Sequence, residues 1–101
     1  MYFVIHCSDK PNAAKLRTEN LHFHVDYLNT QLDKLIWAGA RQEDDGKTLY
    51  GSFFIVSVPD RKAAEAFSEG DPFTKAGLFE RVEISNVRRG IFNPELAAEP
   101  T

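Results

Sequence analysis

The strongest strand pattern in the chain, residues 49–58, constrains the fold more than any other segment. It carries apolar or aromatic side chains in both registers, so each face of the strand presents a hydrophobic surface. Residues 44–46 before it, Asp-Asp-Gly, are a turn signal of the kind that joins antiparallel strands, and Pro59 ends it. Residues 35–40, on the other side of this turn, have strand composition and are predicted to be its hairpin partner.

The remaining segments complete a βαββαβ order. Residues 2–5 form a continuous apolar run typical of a buried strand, and residues 78–85 form a last, more polar strand. A helix of about 20 residues is predicted between residues 12 and 34, and a helix of two or three turns follows residue 60. Four antiparallel strands with both helices on one face predict the ferredoxin-like arrangement, of class α+β.

The first helix has an imidazole at the edge of an apolar stripe. On a helical wheel, five side chains fall within about 80° of one another and are expected to face the core: Leu21, Val25, Leu28, Leu32 and Leu35. His24 lies about 20° outside this stripe, and His22 lies about 60° outside its other edge. His24 is therefore predicted to be the half-buried histidine and His22 the solvated one.

A capping segment follows the second helix. Asp71 is a preferred N-cap residue, Pro72 suits the first helical position, and Gly77 is a natural place for the chain to leave the turn. An N-cap role is by itself a sufficient reason for an aspartate at residue 71. A lone histidine beside an apolar helical stripe is more often a packed structural residue than a catalytic one. The residues alone therefore leave the roles of Asp71 and His24 open.

Composition excludes several classes of function. A chain of 101 residues predicts one domain, here residues 1–92, followed by a loosely held tail, residues 93–101. No apolar run approaches the roughly 20 residues of a membrane span, and a net charge of -3 with interspersed Lys and Arg argues against nucleic-acid binding. The three histidines and the single Cys7 fit no structural zinc spacing, so neither a metal nor another cofactor is predicted. One cysteine suggests a reducing compartment, by default the cytoplasm.

Several segments in order resemble the YciI-like (YCII-related) family of dimeric α+β barrel proteins, over roughly residues 2–87. The resemblance is carried by Asp-Lys-Pro at residues 9–11, Arg17, His-Val-Asp-Tyr-Leu at 24–28, Ala-Gly at 38–39, Gly-Ser at 51–52, Asp-Pro-Phe at 71–73 and Ala-Gly-Leu-Phe at 76–79. Each motif is weak alone, but the order and spacing are fairly specific. Two departures occur: the family often has Arg-Pro before its histidine, where this chain has residues 21–23, and Gly-Pro where this chain has Gly39-Ala40. Such changes at a pocket rim would alter substrate preference before they altered the fold.

The resemblance implies an active site built from His24 and Asp71. Histidine exchanges protons near neutral pH, and a carboxylate fixes its tautomer and stabilises the imidazolium. His24 would act as the base and Asp71 would orient it. Arg17, two turns earlier on the helix, is a candidate to hold an anionic substrate group, and Ser52 is a candidate to give one hydrogen bond.

The predicted function is cofactor-free acid/base chemistry on a small cyclic anionic molecule, either an elimination such as dehydrochlorination or an isomerisation. The resemblance supports this because characterised relatives include a dehydrochlorinase of a chlorinated hydroxyquinol. One alternative is a non-catalytic ligand-binding or regulatory dimer that uses the same cavity. Another is a heme- or cofactor-free monooxygenase of the related barrel families, which would need an apolar, aromatic-rich cavity. A homodimer is expected, with larger assemblies left open, since a sheet face without helices would expose an apolar patch of several hundred Å².

Overall fold

A computed structural model describes residues 1–98. Its elements in chain order are β1 (Tyr2–Asp9), α1 (Ala14–Asn29), β2 (Leu35–Gln42), β3 (Leu49–Ser57), α2 (Arg61–Gly70), α3 (Pro72–Lys75), β4 (Phe79–Val87) and α4 (Pro94–Ala97). The predicted βαββαβ order is confirmed, with α3 and α4 as added single turns. Of the predicted tail, residues 99–101 lie outside the described residues.

The four strands form one antiparallel sheet in the order β2-β3-β1-β4. β1 is central and pairs with both β3 and β4, so that Ile5 lies opposite Phe54 on one side and Ile84 on the other. This is the ferredoxin-like α+β fold that the sequence predicts. Among the helices of the described residues, none has the length and apolar character needed to span a bilayer.

The core lies between one sheet face and the helices. Alternate residues of the central strands point into it because successive side chains of a strand point to opposite faces. The buried cluster comprises Phe3, Ile5, Cys7, Phe54, Val56, Val58, Ala64 and Phe67. Full burial of one large apolar side chain stabilises the fold by about 1.5–3 kcal/mol, so this aromatic-rich cluster is the main source of stability.

The predicted end of the first helix is wrong. α1 ends at Asn29, and Leu32 and Leu35 lie in the following turn and at the start of β2. Backbone N–H groups of Thr30 and Gln31 bond back three residues, to the carbonyls of Tyr27 and Leu28. In these tighter turns each residue no longer rotates by 100° about the helix axis. The side chains beyond Asn29 therefore do not continue the apolar stripe of α1.

The predicted buried face of α1 is confirmed at Leu28, which packs against the core cluster, and is wrong at Leu21 and Val25. Leu21 and Val25 are 47% and 45% exposed, whereas the buried residues of this helix are Arg17 and His24. The core is already filled by strand and α2 side chains, and α1 packs mainly against α3. α1 therefore docks through the polar side chains of Arg17 and His24 and through core contacts at its C-terminal end, and part of its apolar stripe faces outwards.

The opposite face of the sheet is not covered by α1, α2 or α3. Trp37 is 43% exposed on this face and meets the ring of Phe53 edge-on, with centroids 5.5 Å apart. Phe53 and Ile55 are half-buried, although their neighbours Phe54 and Val56 are fully buried in the core. The uncovered face is thus apolar and partly open.

Candidate functional site

The candidate site lies where α1 meets α3, and the local sequence fixes Asp71 there. Oδ1 of Asp71 accepts a hydrogen bond from the backbone N–H of Phe73 at 2.9 Å, and Pro72 occupies the first helical position. The backbone N–H of Asp71 in turn bonds the carbonyl of Ser68 at the end of α2. The predicted cap is confirmed, and it holds the carboxylate in one orientation.

His24 of α1 reaches this carboxylate. Its Nδ1 lies 2.7 Å from Oδ1 of Asp71, and the two residues are 7% and 1% exposed. An ionised carboxylate only accepts hydrogen bonds, so the pattern assigns the Nδ1 proton to His24 and leaves a lone pair on Nε2. His22 is exposed, as its helical position predicts.

Two nitrogens at this site keep both solvent contact and free hydrogen-bonding capacity. Within residues 1–98, neither Nε2 of His24 nor Nη1 of Arg17 has a hydrogen-bond partner. The fully buried polar side-chain atoms without a partner are Oδ2 of Asp71 and Oγ1 of Thr74, so the two nitrogens are not sealed in. A lone pair and a cationic N–H group are therefore available to an incoming molecule.

The ring of Phe73 fixes the spacing of these two groups. It stacks on the imidazole of His24 with centroids 4.0 Å apart and planes 13° from parallel, and Cζ of Arg17 lies 4.8 Å from its centroid. Arg17 and His24 are two helical turns apart, about 10.5 Å along the axis, which leaves room for one ring between their side chains. Phe73 is fully buried, so it restricts both neighbours to one arrangement.

Arg17 is held by a bidentate ion pair. Its Nε and Nη2 donate to the carboxylate of Asp9 at 2.8 and 2.9 Å, and Nη2 also donates to Oγ of Ser52 at 3.1 Å. The side chains of Arg17 and Asp9 are 8% and 7% exposed. The two residues predicted to contact substrate, Arg17 and Ser52, thus contact each other, and most of the guanidinium is already engaged.

Asp9 and Phe73 are the site residues that sequence reasoning missed. Phe73 stands in the Asp-Pro-Phe segment that supports the family resemblance, and this position beside Asp71 is a usable signal. Asp9, at the end of β1, likewise stands in the Asp-Lys-Pro segment that supports the resemblance, but nothing in the local pattern links it to Arg17. Their contact depends on how β1 and α1 pack in three dimensions.

Cys7 and Tyr27, two titratable groups near the dyad, remain protonated at neutral pH. Burial raises the pKa of the Cys7 thiol to about 12, and the charges of Asp71 and Asp9 add to this effect. Burial and the Asp71 carboxylate also raise the pKa of Tyr27, whose hydroxyl donates to the carbonyl of Phe67 at 2.9 Å. Neither group competes with His24 as a base. Within residues 1–98, no three His, Cys, Asp or Glu side chains gather to hold a metal ion.

Two cavities of the fold lie away from this site. One, of about 500 Å³, is lined by Tyr2, Ile36, Ile55, Val87 and residues 88–92. The other, of about 330 Å³, is lined by Val25, Leu28, Asn29, Leu32 and residues 35–38. Neither of these two cavities is lined by His24 or Asp71.

Comparison with known proteins gives a family match over most of the chain. The model of the YCII-related domain matches residues 1–88. Protein YciI of Escherichia coli O6:H1 is 27% identical over 96 residues, which cover 88% of this chain and 98% of that protein. Protein YciI of Shigella flexneri matches to the same extent.

Solved structures give a similar result. The 5-chloro-2-hydroxyhydroquinone dehydrochlorinase TftG of Burkholderia phenoliruptrix AC1100, in complex with 2,5-dihydroxybenzoquinone, is 32% identical with a TM-score of 0.82, over 89% of this chain and 96% of that one. PA3566 from Pseudomonas aeruginosa is 15% identical with a TM-score of 0.54, over 89% and 93%. An antibiotic biosynthesis monooxygenase is 18% identical with a TM-score of 0.51, over 88% and 100%. The last two share the fold alone.

Proposed function

Because this chain belongs to the family of YCII-related domains, we propose that it is a small-molecule enzyme in which His24 and Asp71 perform acid/base chemistry without a cofactor. The observation that supports this function is the 2.7 Å contact between Nδ1 of His24 and Oδ1 of Asp71. It leaves Nε2 as an oriented base with solvent contact, and the carboxylate stabilises the imidazolium that forms.

The proposed reaction is an elimination or an isomerisation. In a dehydrochlorination, Nε2 of His24 removes a proton from a substrate hydroxyl or an acidic carbon. The electron pair left behind forms a new double bond, the carbon–chlorine bond breaks, and chloride leaves with its electrons. The proton on Nε2 then passes to water. In an isomerisation, the same nitrogen returns the proton to a different carbon.

The proposed substrate is a small cyclic anion. TftG, by its name, acts on 5-chloro-2-hydroxyhydroquinone, and its 32% identity with this chain supports a related ring compound here. Nη1 of Arg17 is the cationic group that would meet the anionic oxygen, since Nε and Nη2 are engaged by Asp9. Ser52 is 1% exposed and its Oγ accepts a hydrogen bond from Nη2 of Arg17, so its role is to position the guanidinium.

The assembly and location belong to the same proposal. The uncovered sheet face with Trp37 and Phe53 supports a homodimer in which two sheets pack together, because soluble proteins rarely leave such apolar surface open. A buried, unreactive Cys7 accords with a reducing compartment, and we place the protein in the cytoplasm as part of this proposal.

The function is tested by turnover. A panel of chlorinated hydroquinones, muconolactones and related cyclic acids is assayed for chloride release or product absorbance with wild type, His24→Gln and the control His22→Gln. We expect His24→Gln to lower kcat/KM by roughly 10²- to 10⁴-fold, the usual contribution of a positioned base. His22→Gln should match wild type because His22 is exposed and outside the dyad. Undiminished turnover by His24→Gln would show that the base is assigned wrongly.

The unengaged Nη1 of Arg17 favours one second candidate, a non-catalytic ligand-binding protein that uses the same residues, because this cationic N–H group can hold an anion without proton transfer at His24. Calorimetry with the same panel separates the two functions. Binding that depends on Arg17 and is accompanied by no turnover of any compound would favour the ligand-binding protein. Turnover that depends on His24 would exclude it.

A further inference from the structure

Tyr27 links α1 to the last turn of α2. Its hydroxyl donates to the backbone carbonyl of Phe67 at 2.9 Å, and the two rings pack with centroids 5.8 Å apart. This carbonyl is one of the last four of α2, which find no acceptor role inside the helix. The backbone N–H of Asp71, the next candidate donor, bonds the carbonyl of Ser68 instead. The Tyr27 hydroxyl therefore fills a place that the helix end leaves open.

The same hydroxyl lies against the backbone of Gly70. A Cβ at Gly70 would clash with it, so this close approach requires the absence of a side chain there. Gly70 ends α2, and Asp71 follows directly as the N-cap of α3. Tyr27 therefore contacts the chain immediately before the carboxylate of the dyad.

Tyr27 and His24 lie on one face of α1, since residues three apart on a helix are neighbours. His24 reaches the side chain of Asp71, and Tyr27 reaches the turn of α2 that leads into Asp71. α1 packs mainly against α3 rather than against α2, so the Tyr27 bond is a separate constraint between α1 and α2. The two bonds together fix the placement of α1 relative to the carboxylate.

Tyr27 is suited to positioning rather than to proton transfer. Burial and the charge of Asp71 raise the pKa of Tyr27, so its hydroxyl keeps the proton at neutral pH. That proton is engaged by the carbonyl of Phe67. Tyr27→Phe would retain the ring and its packing, and would remove the link alone.

We propose that Tyr27 is a positioning residue of the dyad. Its hydrogen bond to the carbonyl of Phe67 holds α1 at the spacing that brings Nδ1 of His24 to Oδ1 of Asp71. Catalytic groups need placement within about 0.5 Å, and a misplacement of about 1 Å can lower a rate by about 10²-fold. The catalytic consequence rests on the proposed function, whereas the geometric consequence concerns the dyad alone.

Exchange of the Nδ1 proton of His24 with water tests the link without a substrate. In ¹⁵N-labelled wild type, this proton should give a slowly exchanging imidazole signal, because it is buried and hydrogen-bonded to a carboxylate. We expect Tyr27→Phe to exchange it roughly five- to tenfold faster, the factor by which one hydrogen bond typically shifts an equilibrium. Tyr50→Phe is the matched control, because the ring of Tyr50 packs on Arg41 and lies outside the dyad.

Gly70→Ala separates positioning from stability. Alanine is the better helix former, and Gly70 does not have a positive φ, so the substitution favours α2. Its Cβ would displace the Tyr27 hydroxyl, so the Nδ1 proton of His24 should exchange faster although α2 is not weakened. Ile84→Val, a small truncation beside the core cluster, lowers stability without touching the link. It should leave the exchange unchanged, since local opening of α1 does not depend on global stability.

Turnover gives a second readout. With a substrate found in the panel, Tyr27→Phe should lower kcat roughly tenfold and leave KM unchanged, because Tyr27 orients the base and does not contact the substrate. A kcat equal to that of wild type would contradict the proposal. Faster proton exchange in Tyr27→Phe, with no turnover of any compound by wild type, would refute the proposed function and leave the positioning role supported.

Three further results would overturn the proposal. The first is unchanged exchange in Tyr27→Phe or, where thermal unfolding shows that this variant does not fold, in Gly70→Ala. The second is an equal acceleration in Ile84→Val, which would reduce the role of Tyr27 to general stability. The third is a wild type without a slowly exchanging Nδ1 signal, which would remove the dyad geometry and with it both proposals.

Discussion

Loss of Arg17 would leave the carboxylate of Asp9 buried without a partner. Removing one member of a buried ion pair typically costs about 3–5 kcal/mol, so we expect Arg17→Met to lower the free energy of unfolding by that amount. Urea denaturation measures the change. Arg81→Met is the matched control, since its pair with Glu83 is exposed and should contribute no more than about 1 kcal/mol.

The same experiment has an internal check. In the double variant Asp9→Asn/Arg17→Met neither position carries a buried charge. The decrease in the free energy of unfolding should therefore be smaller than the sum of the decreases in the two single variants. Additive losses would mean that the two side chains stabilise the fold independently, in conflict with the contacts of 2.8 and 2.9 Å.

Because of the buried thiol of Cys7, we expect the free energy of unfolding to fall at alkaline pH. Burial raises the pKa of its thiol from 9.0 to about 12, so the folded state retains the proton that the unfolded chain loses. The contribution of the protonated thiol to the free energy of unfolding is fully present below pH 9.0. It declines as the pH rises from there through about 12. The expected loss is about 2 kcal/mol by pH 10.5.

Urea midpoints at pH 8 and pH 10.5 test this loss in wild type and Cys7→Ala. Tyr27 also has a raised pKa and contributes in the same direction in both proteins, so the informative quantity is the difference between them. Cys7→Ala should lose less stability than wild type over this interval. Equal losses would contradict the assignment to Cys7.

The residues of the site divide into those set by local sequence and those set by packing. Helical phase and capping preference predicted a half-buried His24, an exposed His22 and a capping Asp71, because each depends on neighbours within a few residues. That His24 and Asp71 meet depends on the docking of α1 against α3, and the residues alone did not predict it. The contact of Arg17 with Asp9 also depends on packing and was not predicted.

Among the elements, the strands were predicted well and the first helix less well. Strand signals depend on short runs such as residues 2–5, and the turn at residues 44–46 fixed one pairing. The stripe on α1 failed because a periodic pattern assigns its apolar side to the core by default. Here Leu21 and Val25 face outwards while Arg17 is buried by an ion pair, and periodicity cannot foresee such a pair.

The pairing of β1 with β3 depends on the absence of a side chain at Gly51. A Cβ there would clash with the backbone carbonyl oxygen of Cys7, and backbone cannot move aside cheaply. We expect Gly51→Ala to cost about 1–3 kcal/mol in urea denaturation, as overpacking generally does. Gly90→Ala is the control, because nothing lies within 4 Å of its Cβ position and its stability should be unchanged. Equal effects of the two substitutions would refute this account of the strand pairing.

For the whole molecule, the uncovered sheet face predicts a homodimer in which two sheets pack together. Light scattering at micromolar concentration should give twice the chain mass of 11.4 kDa. Phe53→Glu should give the monomer mass with cooperative unfolding retained, since a charge on this face opposes sheet-to-sheet packing. Leu21→Glu, on the exposed side of α1, should leave the mass unchanged. A wild-type monomer at these concentrations would rule out the proposed dimer.

The mixed docking of α1 has a consequence for how the molecule moves. Its buried residues are Arg17 and His24, and Tyr27 and Leu28 add contacts with the core cluster, so release of this helix breaks ion pairs and hydrogen bonds as well as apolar contacts. In native-state hydrogen exchange, the amides of α1 should open in a smaller, less denaturant-dependent step than those of β1 and β3, which should exchange only on global unfolding. The dyad would then assemble and disassemble with the helix while the sheet remains intact.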